Sequence, residues 1–189
     1  MSSLRFNPPK QWNNNFGNRY FLGLTDLMYD LYGTLLNRPN LKMLEIGSYK
    51  GESAFMFASL GIFTEIHCID PLEGVEESND IFTENWDNVK NEFKLNTRYF
   101  DNVTLHQGFS YNLVNNFEDN YFDFIYIDGN HSYEDAKKDI ELYLPKTKHL
   151  MGGHDYQKEW PGVIKAVDEI FGKPHKTYSD GSWIKSIKS

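Results

Sequence analysis

The chain has very little cysteine: Cys68 is the only one among 189 residues, so no disulfide can form within it. Cys68 lies in the apolar segment 66–69 and is predicted to be an inert core thiol. A lone cysteine is typical of a reducing compartment, which favours a cytoplasmic location. Because 40% of the residues are hydrophobic, a chain of this length can bury a full core without cross-links, and we expect one domain.

Long apolar runs are also absent. The longest, residues 54–63, is about half of the roughly 20 residues in a membrane-spanning helix, and the first residues lack the apolar centre of a signal peptide. We therefore expect no membrane association and no export by that route. Basic residues number 19 against 27 acidic ones, and the net charge of −8 argues against tight binding to nucleic acids. The expected partner is a small molecule, and a homodimer is compatible with this sequence.

Apolar periodicity predicts alternating strands and helices. Strands are expected at residues 42–46, 64–69, 103–106, 122–127 and 150–153, and helices at 20–35, 52–60, about 80–97, 161–171 and after a capping box at Ser132. Asp180-Gly181, between residues 175–179 and 182–187, is a strong signal for a two-residue hairpin turn. This order predicts an α/β fold, a doubly wound and mostly parallel sheet that ends in an antiparallel hairpin. Residues 1–40, an arm and a helix, are assigned to the same domain as residues 41–189.

A glycine turn between a strand and a helix is the most informative motif. The strand leads into Glu45-x-Gly47-x-x-x-Gly51, and Asp70 ends the next strand 23 residues after Gly47. Such glycines let the backbone approach a ligand, the helix N-terminus offers unpaired N–H groups, and the acid can accept from ribose hydroxyls. The motif therefore predicts nucleotide binding, whereas a purely structural glycine turn is the alternative.

The residues within this turn narrow the choice of ligand. Tyr49 stands where a dinucleotide-binding fold keeps a glycine to admit a pyrophosphate. This favours an adenosine ligand without phosphates, and S-adenosylmethionine is the obvious one. Ser53, at the helix N-terminus, is expected to bond the methionine carboxylate of this ligand. The alternative for Asp70 is a turn-forming role before Pro71.

Gly108-Phe109-Ser110 follows the third predicted strand. These residues could border the adenine, with Phe109 or its neighbours stacking on it. Equally, Ser110 could simply cap a helix that starts there. The sequence leaves both interpretations open.

A second group of polar residues follows two later strands. Asp128 and His131 come after residues 122–127, and His154 and Asp155 come after residues 150–153. Because ligands bind beyond the carboxyl ends of the strands in such sheets, we expect this group to share one edge with Gly47 and Asp70. Carboxylates and imidazoles together predict a cation site or a direct catalytic role. The alternative is a simple turn at Asp128 and a core histidine at 154.

Together these motifs resemble the class I S-adenosylmethionine-dependent methyltransferases over residues 41–188. Within that superfamily the chain is similar to the metal-dependent O-methyltransferases of the catechol and macrolide-sugar types. The motifs that carry the resemblance are residues 45–54, Asp70, 108–110, 128–131 and 152–155. The resemblance implies a seven-stranded sheet whose last strand is antiparallel.

The resemblance also implies roles for single residues. It implies that Ser53 contacts the carboxylate, Asp70 the ribose and Ser110 the adenine edge. It also implies that Asp128 and Asp155 are ligands of Mg²⁺ or Mn²⁺ and that His131 is the general base. Enzymes of the macrolide-sugar type likewise have a histidine at that position. His154 departs from the family, which usually has an acid there, so the identity of the metal stays open. The predicted cofactor-binding residues are Glu45, Gly47, Ser48, Tyr49, Gly51, Ser53, Asp70, Gly108, Phe109, Ser110 and Asp128, and the predicted metal ligands are Asp128, His154 and Asp155.

The expected function is methyl transfer from S-adenosylmethionine to a hydroxyl of a small molecule such as a sugar, a polyol or a catechol. A divalent metal held by Asp128 and Asp155 would assist it, and His131 would take the proton. Three alternatives remain open. They are a metal-dependent hydrolase or oxygenase that uses Asp128, His154 and Asp155, a non-catalytic cofactor-binding protein, and a nicotinamide dehydrogenase.

Overall fold

A computed structural model describes residues 18–73 and 85–187 of the chain. Seven strands form one sheet: β1 (Leu41–Ile46), β2 (Phe63–Asp70), β3 (Val103–Gln107), β4 (Phe122–Ile127), β5 (Thr147–Gly153), β6 (Lys176–Thr177) and β7 (Trp183–Ser186). The α-helices of the described ranges are α1 (Asn18–Leu35), α2 (Glu52–Ser59), α3 (Trp86–Thr97), α4 (Ser110–Leu113), α5 (Tyr133–Tyr143) and α6 (Pro161–Phe171). Most of the predicted N-terminal arm lies outside the described residues.

The strands follow the order β3-β2-β1-β4-β5-β7-β6 across the sheet. Strands β1 to β5 pair in parallel, whereas β7 is antiparallel to both β5 and β6. The prediction of a mostly parallel, doubly wound sheet with an antiparallel last strand is confirmed. The strand order reverses between β1 and β4, and that is the point where such sheets open a crevice for a ligand.

Two hydrophobic cores cover the two faces of the sheet. Leu41 and Met43 of β1 belong to the core that includes α1 and α2, whereas Leu44 and Ile46 belong to the core that includes α5 and α6. Successive strand residues point to opposite faces, so one strand serves both cores. Cys68 is fully buried in the first core, as expected, and burial raises the pKa of its thiol.

Local capping explains where two of the helices begin. The Ser132 side chain accepts from the backbone N–H of Asp135 at 3.1 Å, which confirms the predicted cap of α5. The described part of α3 begins at Trp86, because Asn85 accepts from the N–H groups of Asp87 and Asn88. The start predicted near residue 80 was therefore wrong, and residues 80–84 with Phe82 lie outside the described residues.

The C-terminal hairpin forms, but its turn is longer than predicted. β6 and β7 pair through Lys176↔Ile184 and Thr177↔Trp183, so residues 178–182 connect them. The Asp180 carboxylate accepts from the backbone N–H and the hydroxyl of Ser182, at 2.9 and 2.8 Å. Asp180 is 1% exposed, because its side chain turns inward instead of standing at the tip of a two-residue turn. In the described ranges, no helix combines the length and the hydropathy needed to cross a membrane.

Candidate active site

A cavity of about 470 Å³ opens at the carboxyl ends of the central strands. The residues that line it come from the ends of β1 and β2 and from the segments that follow β1, β2, β3 and β4. Seven of the predicted site residues lie on its wall: Gly47, Tyr49, Asp70, Phe109, Ser110, Asp128 and His131. The structure therefore brings the glycine turn, the acid of β2 and the acid of β4 to one edge of the sheet, as expected.

Gly47 has a packing reason to be glycine. Its φ of +85° lies in the left-handed region, and a Cβ there would stand 1.9 Å from the carbonyl oxygen of Asp128. Gly51, the N-cap residue of α2, has a φ of +76°, and a Cβ there would stand 2.8 Å from the Phe93 ring. Backbone conformation and packing therefore require glycine at both positions, and the close contact at Gly47 sets Asp128 beside the turn.

Asp70 forms the turn that the sequence allowed and also lines the cavity, whereas its contact with a ribose stays a prediction. One carboxylate oxygen accepts from the N–H of Leu72 at 2.7 Å, which is the turn expected before Pro71. The other accepts from the N–H of Tyr49 at 2.7 Å. Burial raises the pKa of Asp70, although these backbone donors oppose that shift. Each carboxylate oxygen has a second acceptor site, so the side chain can still accept from a ligand in the cavity that it lines.

Glu45, Ser48 and Ser53 lie beneath the glycine turn rather than on the cavity wall. Glu45 is 0% exposed, and burial raises its pKa to about 7. No donor in the described part of the chain reaches either Glu45 oxygen, or the Ser48 hydroxyl, with hydrogen-bonding geometry. Gly51 and Gly108 also do not line the cavity. Roles for these five residues in cofactor binding stay predictions.

The segment after β3 borders the cavity through Phe109 and Ser110. The N–H of Gly108 donates to the Asp70 carbonyl oxygen at 3.0 Å, which ties this segment to the end of β2. Ser110 is the first residue of α4 and Phe109 is its N-cap, so the interpretation of Ser110 as a helix cap was wrong. Instead, the Ser110 hydroxyl donates to a carboxylate oxygen of Asp139 on α5.

The four residues of the second predicted group do meet. Asp155 Oδ2 lies 2.8 Å from His131 Nε2 and 3.1 Å from His154 Nδ1. His154 Nδ1 is also 3.8 Å from Asp128 Oδ1. Ligand atoms of Asp128, His131 and Asp155 lie within 4.8 Å of one another, an arrangement that could hold a metal ion. In that set His131 takes the place that the sequence assigned to His154.

The electrostatics of this cluster follow from burial and from its opposite charges. Burial raises the pKa of Asp128 to about 6, although His154 opposes the shift. For His154, burial would lower the pKa, but Asp128 and Asp155 outweigh it and raise the pKa to about 9. Hydrogen bonds from His131 and His154 outweigh burial at Asp155 and hold its pKa well below the usual range. The cluster therefore stabilises the charged forms of His154 and Asp155, whereas burial disfavours the charged form of Asp128.

Three residues of the site were missed at the level of sequence. Asp180 Oδ2 lies 3.8 Å from His154 Nε2, although Asp180 had been assigned only to a turn. The Trp160 ring packs on the His131 imidazole, with centroids 4.2 Å apart and planes at 32°. Asp139 lines the cavity and holds Ser110. No local sequence motif could have predicted these roles, because each depends on a contact between segments that are distant in the sequence.

The strand order, the glycine turn and the acids at one cavity edge define the class I methyltransferase fold. A family model described as a methyltransferase domain matches residues 44–156, more than half of the chain. The chain therefore belongs to this methyltransferase family and is an S-adenosylmethionine-dependent methyltransferase. This membership favours a methyltransferase over the hydrolase, oxygenase and dehydrogenase alternatives. No curated protein matches the sequence.

Solved structures share the fold at low sequence identity. A candidate caffeoyl-CoA O-methyltransferase from Staphylococcus aureus superposes with a TM-score of 0.61 at 20% identity, over 92% of this chain and 85% of that one. A candidate O-methyltransferase from Klebsiella pneumoniae gives a TM-score of 0.60 at 15% identity, over 87% and 80%. A precorrin 8w decarboxylase from Methanobacterium thermoautotrophicum gives 0.54 at 14% identity, over 77% and 71%. At these identities the likeness shows the fold alone.

Proposed function

We propose that this protein transfers a methyl group from S-adenosylmethionine to a hydroxyl of a small molecule, assisted by a divalent cation. The observation that carries the proposal is the contact of His131 with Asp155 beside Asp128, at the edge of the cavity. A proton acceptor and two carboxylates at the reactive end of a methyltransferase cavity suit the activation of a hydroxyl.

The cavity suits the cofactor in size and in charge. Its volume of about 470 Å³ is within the usual range for small-molecule sites. Among the described residues of its wall, acidic side chains outnumber the one lysine, which favours a positively charged sulfonium donor. These acids are Asp70, Glu73, Asp128, Asp135 and Asp139, against Lys138. When bound, S-adenosylmethionine would supply an electrophilic methyl group, and we assign to Asp70, which lines the cavity, the hydrogen bonds from its ribose.

Asp128, His131, His154 and Asp155, called the acidic cluster below, fit a divalent cation. Asp128 and Asp155 would provide the carboxylate oxygens that Mg²⁺ and Mn²⁺ prefer. The third ligand would be His154 in the set predicted from the sequence, which leaves His131 to act as the base. In the set that the geometry favours it would be His131, which would exclude that role for it. When bound, the cation supplies a Lewis acid that lowers the pKa of a hydroxyl at the site.

His131 is the residue to which we assign the proton transfer. Its contact with Asp155 orients the imidazole. Trp160 packs against the ring and limits its rotation. The side chain is therefore held at a fixed position beside the cavity that it lines. Fixing the reacting groups in line supplies much of the acceleration in such a transfer.

The acceptor we propose is a compact hydroxyl compound: a sugar, a polyol or a catechol-like molecule. The cavity must hold both the donor and the acceptor, which leaves room beside Asp128 and His131 for a small group. The net charge of −8 and the acidic cavity wall disfavour a nucleic acid as the substrate.

Two measurements test the proposal. Calorimetric titration with S-adenosylhomocysteine should show saturable binding near neutral pH. Transfer of a labelled methyl group should then be measured across a panel of sugars, polyols and catechols, with Mn²⁺ or with EDTA. Methylation that requires the cation would support the proposal. Binding of S-adenosylhomocysteine without methyl transfer to any hydroxyl compound would contradict it. Equal turnover with Mn²⁺ and with EDTA would show that the reaction does not need the cation.

A further inference from the structure

Ser110 is held on two sides by one face of α5. Its hydroxyl donates to Oδ1 of Asp139, and its carbonyl oxygen accepts from the Tyr143 hydroxyl at 2.8 Å. Asp139 and Tyr143 are four residues apart, so they lie on the same face of the helix. Both are buried, at 7% and 0% exposure. The side chain and the backbone of Ser110 therefore share one fixed support.

Asp139 belongs to the cavity wall as well as to this support. It lines the cavity together with Ser110 and Gly129. A Cβ on Gly129 would stand 3.2 Å from Oδ2 of Asp139, which leaves little space between the two residues. Burial raises the pKa of Asp139 to about 6, and the hydrogen bond from Ser110 opposes that shift. Near pH 7.5 the carboxyl group is therefore mainly ionised.

The direction of the Ser110 hydrogen bond determines which type of ligand group the Ser110 hydroxyl can bind. An ionised carboxylate only accepts hydrogen bonds, and a serine hydroxyl has one proton to donate. Since that proton is donated to Asp139, the hydroxyl oxygen keeps only acceptor capacity for the cavity. A ligand group at this position must then be a donor. The exocyclic amine of adenine is a donor, whereas the corresponding oxygen of hypoxanthine is an acceptor.

We propose that Asp139 is a positioning residue that makes Ser110 select an aminopurine over an oxopurine in the cofactor. The inference rests on the proposed placement of the adenine beside Ser110. A residue that merely attached α5 to α4 would not discriminate between two bases of the same shape. The preference between the two bases is therefore the property that separates this role from a structural one.

The experiment compares two ligands on the full-length chain. S-adenosylhomocysteine and its deaminated analogue S-inosylhomocysteine are titrated calorimetrically at pH 7.5. The wild type should prefer the adenosyl ligand by about tenfold or more, since a wrong donor or acceptor pattern costs at least that much. Asp139→Leu removes the acceptor, which lets the Ser110 hydroxyl turn and donate, so the preference should fall towards one.

Two further variants act as controls. Asp139→Asn keeps a carbonyl acceptor without the charge, and it should retain most of the preference. Asp135→Asn removes a charge from the same helix and the same wall without touching the Ser110 hydrogen bond. It should change both affinities alike and leave their ratio at the wild-type value.

The outcomes separate this inference from the proposed function. A folded Asp139→Leu protein with the wild-type ratio would overturn it, as would a wild type that binds both ligands equally. If Asp139→Leu does not fold, Ser110→Ala must lose the preference, and retention of the wild-type ratio there overturns the inference. A wild type that binds neither ligand contradicts the proposed function, and this inference with it.

Discussion

His131 and Asp155 form the closest contact of the acidic cluster, with Nε2 and Oδ2 2.8 Å apart. The contact joins the loop after β4 to the end of β5, since these parallel strands are neighbours in the sheet. Asp155 adopts a left-handed φ of +60°, a conformation that a non-glycine residue rarely takes. Strain of this kind is concentrated at functional sites, and here it accompanies the contact with His131.

His131→Ala should lower kcat by roughly 10²–10⁴-fold, the usual contribution of a general base. The affinity for S-adenosylhomocysteine should stay within about twofold, because the cofactor contacts assigned above do not use this imidazole. Steady-state kinetics and calorimetry measure the two effects. His175→Ala is the matched control, since His175 is exposed and its Nδ1 accepts only from the backbone of Ser186 among the described contacts. Wild-type turnover in the His131 variant would remove His131 from the mechanism.

Binding of Mn²⁺ to the apoprotein should require the acidic cluster. We expect Asp128→Asn to weaken it by about tenfold or more, as is usual when a metal ligand or its support is removed. Electron paramagnetic resonance of free Mn²⁺ measures the loss directly. Asp119→Asn is the control, because Asp119 is exposed and pairs with Lys146 outside the site.

The same titration decides which histidine completes the metal site. A greater loss of Mn²⁺ affinity in His154→Ala than in His131→Ala would support the set predicted from the sequence. The reverse order would support the set that the geometry favours. Unchanged binding in Asp128→Asn would contradict a cation site at this edge altogether.

Asp70→Asn should weaken the binding of S-adenosylhomocysteine by about 10–100-fold. Hydrogen bonds to a charged group contribute about 1.5–3 kcal/mol, and the amide keeps only one of the two accepting oxygens. Glu73→Gln is the control, since Glu73 lines the same cavity but is exposed. Because Asp70 also accepts from Tyr49 and Leu72, thermal unfolding must be measured alongside. Equal affinity in both variants would leave Asp70 with its turn-forming role alone.

Glu45→Gln should stabilise the apoprotein at pH 8. The folded-state pKa of Glu45 is about 7, above its ordinary value of 4.5, so the buried charge destabilises the fold above pH 7. This penalty decreases as the pH falls from 7 and vanishes below 4.5, where the carboxyl group is protonated in both states. At about 1.4 kcal/mol per pKa unit, the gain is on the order of 3 kcal/mol.

Urea unfolding at pH 8 and at pH 5 measures this gain. The difference in the free energy of unfolding between variant and wild type should be smaller at the lower pH. A difference in unfolding free energy that is the same at both pH values would contradict this prediction. It would mean that the Glu45 carboxyl group has the same charge in the folded and in the unfolded protein between pH 5 and pH 8.

Gly47→Ala should destabilise the fold by more than about 2 kcal/mol, because a left-handed φ and a direct clash both oppose a side chain there. Its Cβ would press on the carbonyl oxygen of Asp128, so Mn²⁺ binding should weaken as well. Gly33→Ala is the matched control. Gly33 lies within α1 with no atom near its Cβ position, and alanine should stabilise that helix by about 0.5–1 kcal/mol. Thermal unfolding of both variants checks the contrast.

Much of the fold could be predicted from local patterns. β4 (Phe122–Ile127) and α6 (Pro161–Phe171) have the predicted bounds, because an unbroken apolar segment and a proline at the first helical turn are strong local signals. The start of α3 was missed, since its amphipathic spacing continues before the Asn85 cap. The hairpin turn was missed because the inward position of Asp180 depends on its surroundings: a Cβ on Gly23 of α1 would overlap that carboxylate.

The sequence by itself determined the order of the elements, the glycine turn and which acids stand at strand ends. These properties follow from hydrophobic periodicity and backbone preferences, which act over a few residues. Only the tertiary structure decided that His131 pairs with Asp155, that Asp139 holds Ser110 and that Glu45 lies beneath the turn. Such contacts join residues from different strands and helices, and their distances depend on how the whole sheet packs against its helices.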